Sequence, residues 1–184
     1  MENNFYYISY EKQIADINLL VEKLKADHFQ GDGWIGENLV LVNCAPNYSS
    51  ILTQIVNHRL SHLNHNECFE TLTLELPPVS GSQVWNPIEQ EYVSFEGYLN
   101  WWNSRMVHTR AQYLFLTSAI IGTGRNFVSI LRKFRGDRNK LKLACVYLDN
   151  ESIVTPEFHV EQLEKRKGKP LFEWENHDNK SRVY

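Results

Sequence analysis

Hydrophobic positions along the chain follow two alternating spacings, and that alternation predicts an order of elements. Ser9 is a helix-capping residue type, and behind it Ile14, Ile17, Val21 and Leu24 recur at three- and four-residue intervals, which predicts a helix starting near Tyr10. The Gly-rich stretch "FQGDGWIGEN" breaks this pattern. "LVLVN", Leu39 to Asn43, is then a short continuous apolar run of the kind seen in strands buried on both faces. "CAPNYSS" turns the chain into "SILTQIVNHRLSHL", where Leu52, Ile55, Val56 and Leu60 restore helical spacing. "FETLTLEL", Phe69 to Leu76, alternates strictly and predicts a strand, whereas "PPVSGSQVWNP" reads as a long loop of turn residues.

The second half repeats the alternation. Phe95, Leu99, Trp102 and Met106 line one side of a helix predicted from Ser94 to about His108. A strand from Tyr113 to Ile121, a Gly-x-Gly turn, a helix from Asn126 to Phe134 and a strand from Leu141 to Asp149 follow. Strands separated by helices call for right-handed crossovers, so the expected fold class is α/β with a central, mostly parallel sheet flanked by helices. That sheet is expected to contain Leu39–Asn43, Phe69–Leu76, Leu114–Ile121 and Leu141–Leu148. No internal repeat or low-complexity segment interrupts the pattern, and residues 1–184 are read as one domain.

Composition narrows the function classes. A formal net charge of −3 gives no reason to expect a nucleic-acid partner. The basic runs "RKFRGDRNKLK" (Arg132 to Lys142) and "EKRKGK" (Glu164 to Lys169) can touch phosphates. The first also suits a helix C-terminus, where cations complement the dipole and Gly136 ends the helix. Cys44, Cys68 and Cys145 are odd in number, without a zinc-like spacing, and fit reduced thiols in the cytoplasm. No apolar run has membrane-spanning length, and the start "MENNFYYISYEKQ" lacks the features of a signal peptide. His58, His62 and His65 share a helical face, with Glu67 nearby, but read more plainly as surface histidines; no metal site is expected. Adjacent Trp101 and Trp102 point about a hundred degrees apart on a helix, so one is expected to meet a partner copy in a homodimer.

The chemistry centres on "TSAIIGTGRNFVSI", Thr117 to Ile130. A Gly-x-Gly turn between a buried strand and a helix can bring free amides and a helix dipole to a phosphate. Gly122, Thr123, Gly124, Arg125 and Asn126 are therefore candidate phosphate ligands. A tight turn that needs positive φ explains the glycines equally well.

More than the glycines agrees with a known pattern. "YLFLTSAIIGTGRNFVSIL", preceded by "LVLVNCAPNYSS" and followed by "LACVYLD" and "PLFEWEN", resembles the type I phosphoribosyltransferase family, especially its purine-type branch. The resemblance spans roughly Ile8 to Asn176 and implies a parallel-sheet core with a small hood built from the terminal segments. It implies that Pro46, Asn47, Tyr48 and Ser49 lie in the pyrophosphate loop and that Ser118 lies at the sugar. It also puts Leu148 at the base-contacting strand end, and Trp174 in an aromatic ending where a ring can stack on the base.

Three family roles are changed. Ser118 and Ala119 stand where the family has an acidic pair, Gly122 where many members have Asp, and Leu148 where a Lys reaches the purine. A hydroxyl can bond a sugar but supplies no anionic field. Glu89, Glu91 and Asp149 are candidate replacements from neighbouring loops. The expected function is thus a phosphoribosyltransferase-like protein that binds a nucleotide or phosphorylated sugar, with weak or absent standard purine transfer. Magnesium would arrive with a pyrophosphate-bearing ligand. The alternatives are an active transferase on an unusual nucleobase and a ligand-free interaction scaffold.

Overall fold

The computed structural model describes residues 6–30, 35, 39–44, 48–77, 83–86, 88–106, 113–135, 138–163, 172–175 and 181–183. The chain opens with β1 (Tyr6–Ile8) and α1 (Tyr10–Gln30), then β2 (Leu39–Cys44), α2 (Tyr48–Leu60) and β3 (Glu70–Leu74). A hairpin of β4 (Gln83–Asn86) and β5 (Glu91–Ser94) leads into α3 (Phe95–Met106). Then come β6 (Tyr113–Ile121), α4 (Arg125–Lys133), β7 (Leu141–Asp149), β8 (Phe158–Leu163), β9 (Phe172–Glu175) and β10 (Ser181–Val183).

The central sheet has five strands in the order β3-β2-β6-β7-β8, and every pairing in it is parallel. All four expected strands are there. α1 begins at Tyr10, and Ser9 Oγ accepts from Lys12 N at 3.2 Å, as a helix cap does. The strands alternate their side chains between two cores. Leu39, Leu41, Phe115, Ala119 and Ala144 pack with Leu20, Leu24, Leu52 and Val56 of α1 and α2. Val40, Val42, Leu116, Ile121 and Leu143 pack with Leu99, Trp102, Phe127 and Ile130 of α3 and α4. A small second sheet, β1-β9-β10, joins the two terminal segments, with β1 and β9 parallel and β10 antiparallel to β9.

Three details depart from the sequence expectation. The strand expected over Phe69–Leu76 is paired only from Glu70 to Leu74, because the β2 ladder it rests on ends at the Cys44–Leu74 pair. The presumed loop before α3 contains the antiparallel β4–β5 hairpin. The sheet also has an unforeseen fifth strand, β8. Its connection from β7 carries no helix and so leaves no helical periodicity; it returns along the α4 side and buries Val154 in that core.

One polar cluster locks α1 to the sheet. Tyr147 donates to Asp16 Oδ2 at 2.7 Å. Lys12 Nζ donates to Asp16 Oδ2 and to Glu161 Oε2, each at 2.8 Å. On the other face, Asn103 Nδ2 donates to the Lys133 carbonyl at 3.0 Å and satisfies an end of α4.

Candidate functional site

The strand order reverses between β2 and β6. From β2 the chain passes through α2 to β3 on one side; from β6 it passes through α4 to β7 on the other. α2 belongs to one core and α4 to the other, so the two helices leave their strands on opposite faces. A crevice at the carboxyl ends of two such strands is the usual ligand position in an open α/β sheet.

The Gly-x-Gly turn lies at the carboxyl end of β6. Gly124 is the N-cap of α4 and takes the left-handed conformation, φ 75°. Its α-carbon is also crowded: a β-carbon would lie 2.6 Å from Val154 Cγ2 and 2.9 Å from Ser152 Oγ. The Thr123 carbonyl accepts from Ile153 N at 3.1 Å, which holds the turn against the β7–β8 connection. Gly124 therefore has a structural reason of its own. Gly122 has none of that kind: no atom lies within 4 Å of where its β-carbon would stand.

α4 starts at Arg125, with no side-chain cap and no acidic residue in its first turn. Its ladder opens with Val128 N to the Gly124 carbonyl at 3.0 Å, so the amides before Val128 have no intrahelical partner. The Thr123 and Arg125 side chains are exposed beside them. Asn126 is half-buried and donates through Nδ2 to the Pro77 carbonyl at 3.2 Å, which ties the exit of β3 to α4. Together the segment offers amide donors, a hydroxyl, a guanidinium and the positive end of a helix dipole, a set suited to an anion.

Ser118 and Ala119 both lie within β6. Ser118 is 4 % exposed and donates its hydroxyl to the Ile120 carbonyl at 2.7 Å, while Ala119 packs in the α1–α2 core. Of the carboxylates named as replacements, Glu89 accepts from Asn86 Nδ2 at 2.9 Å inside the hairpin turn, and Asp149 is buried, accepting from Glu151 N at 2.9 Å. Glu91 is exposed on β5. No group of three or more His, Cys, Asp or Glu side chains is arranged for a metal ion among the described residues. The donor set does not fit direct magnesium coordination.

Leu148 sits at the end of β7, buried in the α3–α4 core and paired with Ile121. Trp174 is the third residue of β9, in register with Ile8 and Arg182. Tyr48 and Ser49 open α2, which also lacks an acidic residue in its first turn. Pro46 and Asn47 lie outside the described residues. Trp102 is buried and Trp101 half-buried, with the Tyr98 and Trp101 rings 5.4 Å apart. The more exposed aromatic pair is Trp85 and Tyr92 of the hairpin, 5.2 Å apart.

Two residues near the crevice escaped the sequence reading. Glu75 follows β3, its amide donates to Tyr98 Oη at 3.2 Å, and burial raises its carboxyl above the usual range. Asn43 ends the apolar run of β2, and its Oδ1 is buried with no hydrogen-bond partner among the described residues. The available signal was a polar residue closing "LVLVN" just before a turn.

No protein-family model matches the chain, and no curated protein matches it by sequence. Solved structures do. The purine phosphoribosyltransferase from Pyrococcus horikoshii Ot3 superposes with a TM-score of 0.54 at 13% identity, covering 86% of this chain and 88% of that one. The Helicobacter pylori xanthine-guanine-hypoxanthine phosphoribosyltransferase gives 0.54 at 13% identity, covering 89% and 90%. The Trypanosoma cruzi hypoxanthine phosphoribosyltransferase in complex with the product IMP gives 0.55 at 12% identity, covering 90% and 80%. With the all-parallel five-stranded sheet and the small sheet of terminal strands, these likenesses establish that the chain has the α/β fold of the purine-type phosphoribosyltransferases.

Proposed function

We propose that the chain binds a nucleotide or a 5'-phosphorylated ribose at the crevice between β2 and β6, with little or no standard purine phosphoribosyl transfer. The observation that carries this reading is the start of α4. First-turn amides without an intrahelical partner, exposed Thr123 and Arg125 and open space at Gly122 converge there, and the first turn of the helix carries no acidic residue. The phosphate is assigned to Gly122–Asn126, the asparagine contributing through its backbone because its side chain serves Pro77. Tyr48 and Ser49, at the start of α2, are with Pro46 and Asn47 the proposed pyrophosphate side. The base is assigned to the ends of β7 and β9, at Leu148 and Trp174. Magnesium, if a pyrophosphate-bearing ligand brings it, is held by that ligand's own oxygens.

The second reading is an active transferase for an unusual nucleobase. It is favoured by the fold shared with a hypoxanthine phosphoribosyltransferase that holds IMP. Calorimetric titration with phosphoribosyl pyrophosphate, nucleoside monophosphates and free purines, with and without magnesium, separates the two. Binding of a phosphorylated ligand that Arg125→Ala weakens severalfold, with the melting curve unchanged, is the expected result. No binding of any phosphorylated ligand refutes the assignment.

A further inference from the structure

We infer that Asn43 is a sugar-specificity residue, its carboxamide oxygen accepting a hydrogen bond from a ribose hydroxyl held over Ala119 between β2 and β6. This rests on the phosphoribosyl-ligand reading above and names the group that grips the sugar.

The first ground is an unmet acceptor. Asn43 is 7 % exposed, and its Oδ1 has no partner among the described residues. A buried carboxamide without a partner is costly, and a branched apolar residue would suit the middle of this sheet better. The second ground is register. Alternation along β2 puts Asn43 on the face of Leu39 and Leu41, and it pairs across to Thr117 of β6. Ala119 lies on that same face, two residues nearer the carboxyl end. By strand geometry the Asn43 and Ala119 α-carbons are then about 8 Å apart, neighbours on one face of the sheet.

The other polar groups there are already engaged. Thr117 Oγ1 donates to the Val42 carbonyl at 3.2 Å and is hydrogen-bonded to Thr53 Oγ1 of α2. The Ser118 hydroxyl donates to the Ile120 carbonyl. The acceptor sign also sorts the ligand. The unmet atom is the oxygen, which accepts from a hydroxyl but not from phosphate oxygens, so this oxygen is assigned to the sugar and the phosphate to α4. A neutral acceptor on β2 thereby takes over sugar binding where β6 has no carboxylate.

The test uses the full chain and Asn43→Val, titrated with ribose 5-phosphate and, separately, with inorganic phosphate, alongside thermal melts without ligand. Asn43→Val should weaken ribose 5-phosphate about three- to tenfold, the worth of one hydrogen bond, and leave inorganic phosphate unchanged. The unliganded variant should melt at the same or a higher temperature, because an unpaired polar group has been removed. Unchanged ribose 5-phosphate affinity overturns the inference, as does equal weakening of both probes. A lower melting temperature overturns it too, since it would mean that the carboxamide is satisfied inside the protein. If the wild type binds neither probe, this inference falls together with the ligand reading, whereas binding indifferent to Asn43 removes this inference alone.

Discussion

Gly124 packs its α-carbon so closely on Val154 that a β-carbon would stand 2.6 Å from Val154 Cγ2. The same residue has φ 75°. Gly124→Ala should therefore lose about 2–4 kcal/mol, the left-handed penalty plus local overpacking, read from urea unfolding. Gly122→Ala should leave stability within about 0.5 kcal/mol, because open space surrounds that position. If Gly122→Ala nevertheless weakens phosphate binding, close ligand approach is the use of the first glycine. Equal destabilisation by both changes would contradict this division of roles.

Turnover of phosphoribosyl pyrophosphate with adenine, guanine, hypoxanthine or xanthine should be weak or absent with magnesium present. A ribosyl centre that loses pyrophosphate becomes positive, and on the proposed assignment uncharged Ser118 and Ala119 offer it no carboxylate. Each missing charged contact costs about 2–4 kcal/mol of transition-state stabilisation, roughly 30- to 1,000-fold in rate. A pyrophosphate-release assay checks this. Robust turnover abolished by Arg125→Ala would show that carboxylates at 118 and 119 are dispensable. Ser118→Asp with Ala119→Asp should raise turnover and, since both positions are buried, lower the melting temperature.

Stability should decline in alkali. Burial, then the hydrogen bond to Asp16, raises the Tyr147 phenol above its ordinary 10.0. Burial also raises the Cys44 and Cys145 thiols above 9.0. Lys12 is raised by its hydrogen bonds to Asp16 and then Glu161, but its exposure keeps that share small. Each folded pKa lies above the unfolded one, so its contribution is complete below the unfolded value and is lost as pH rises toward the folded value. Urea unfolding should show stability falling from about pH 9, steepening near 10, by about 1.4 kcal/mol per pH unit for each group that ionises only on unfolding. Tyr147→Phe should cost about 1–2 kcal/mol at pH 7 and flatten the part of the fall above 10. An unaltered slope in that variant would remove Tyr147 from the account.

A homodimer through the aromatic surface near Trp101 is expected at tens of micromolar, about the concentration at which a stable interface is populated. Trp101 lies half-buried on α3, and the hairpin packed beside that helix exposes Trp85 and Tyr92. Light scattering that returns a monomer mass would exclude it. A dimer dissociated by Trp101→Ala but not by Trp85→Ala would place the interface on α3.

Much of the architecture was legible in local pattern. "LVLV" and "LACVYL" are continuously apolar because each is buried on both faces, and the helix-period stripes between them are the faces that cover those strands. The uncharged residues at 118 and 119, and the glycine turn after them, were plain in the same way. Periodicity records that a residue is buried, not which neighbour buries it. The fifth strand leaves no periodic signal because its connection has no helix, and the strand within Phe69–Leu76 is shorter than its alternation because a ladder ends where its partner ends.

The sequence by itself determined the α/β class, the order of the main strands and helices, and the place of the turn before α4, since each is written in contiguous residues. Only the tertiary structure decided that α2 and α4 leave β2 and β6 on opposite faces, that Val154 forbids a side chain at Gly124, and that Asn43 lies buried with an oxygen that has no partner among the described residues. Those three relationships join residues distant in sequence. Pairing and packing create them, so no local spacing can announce them.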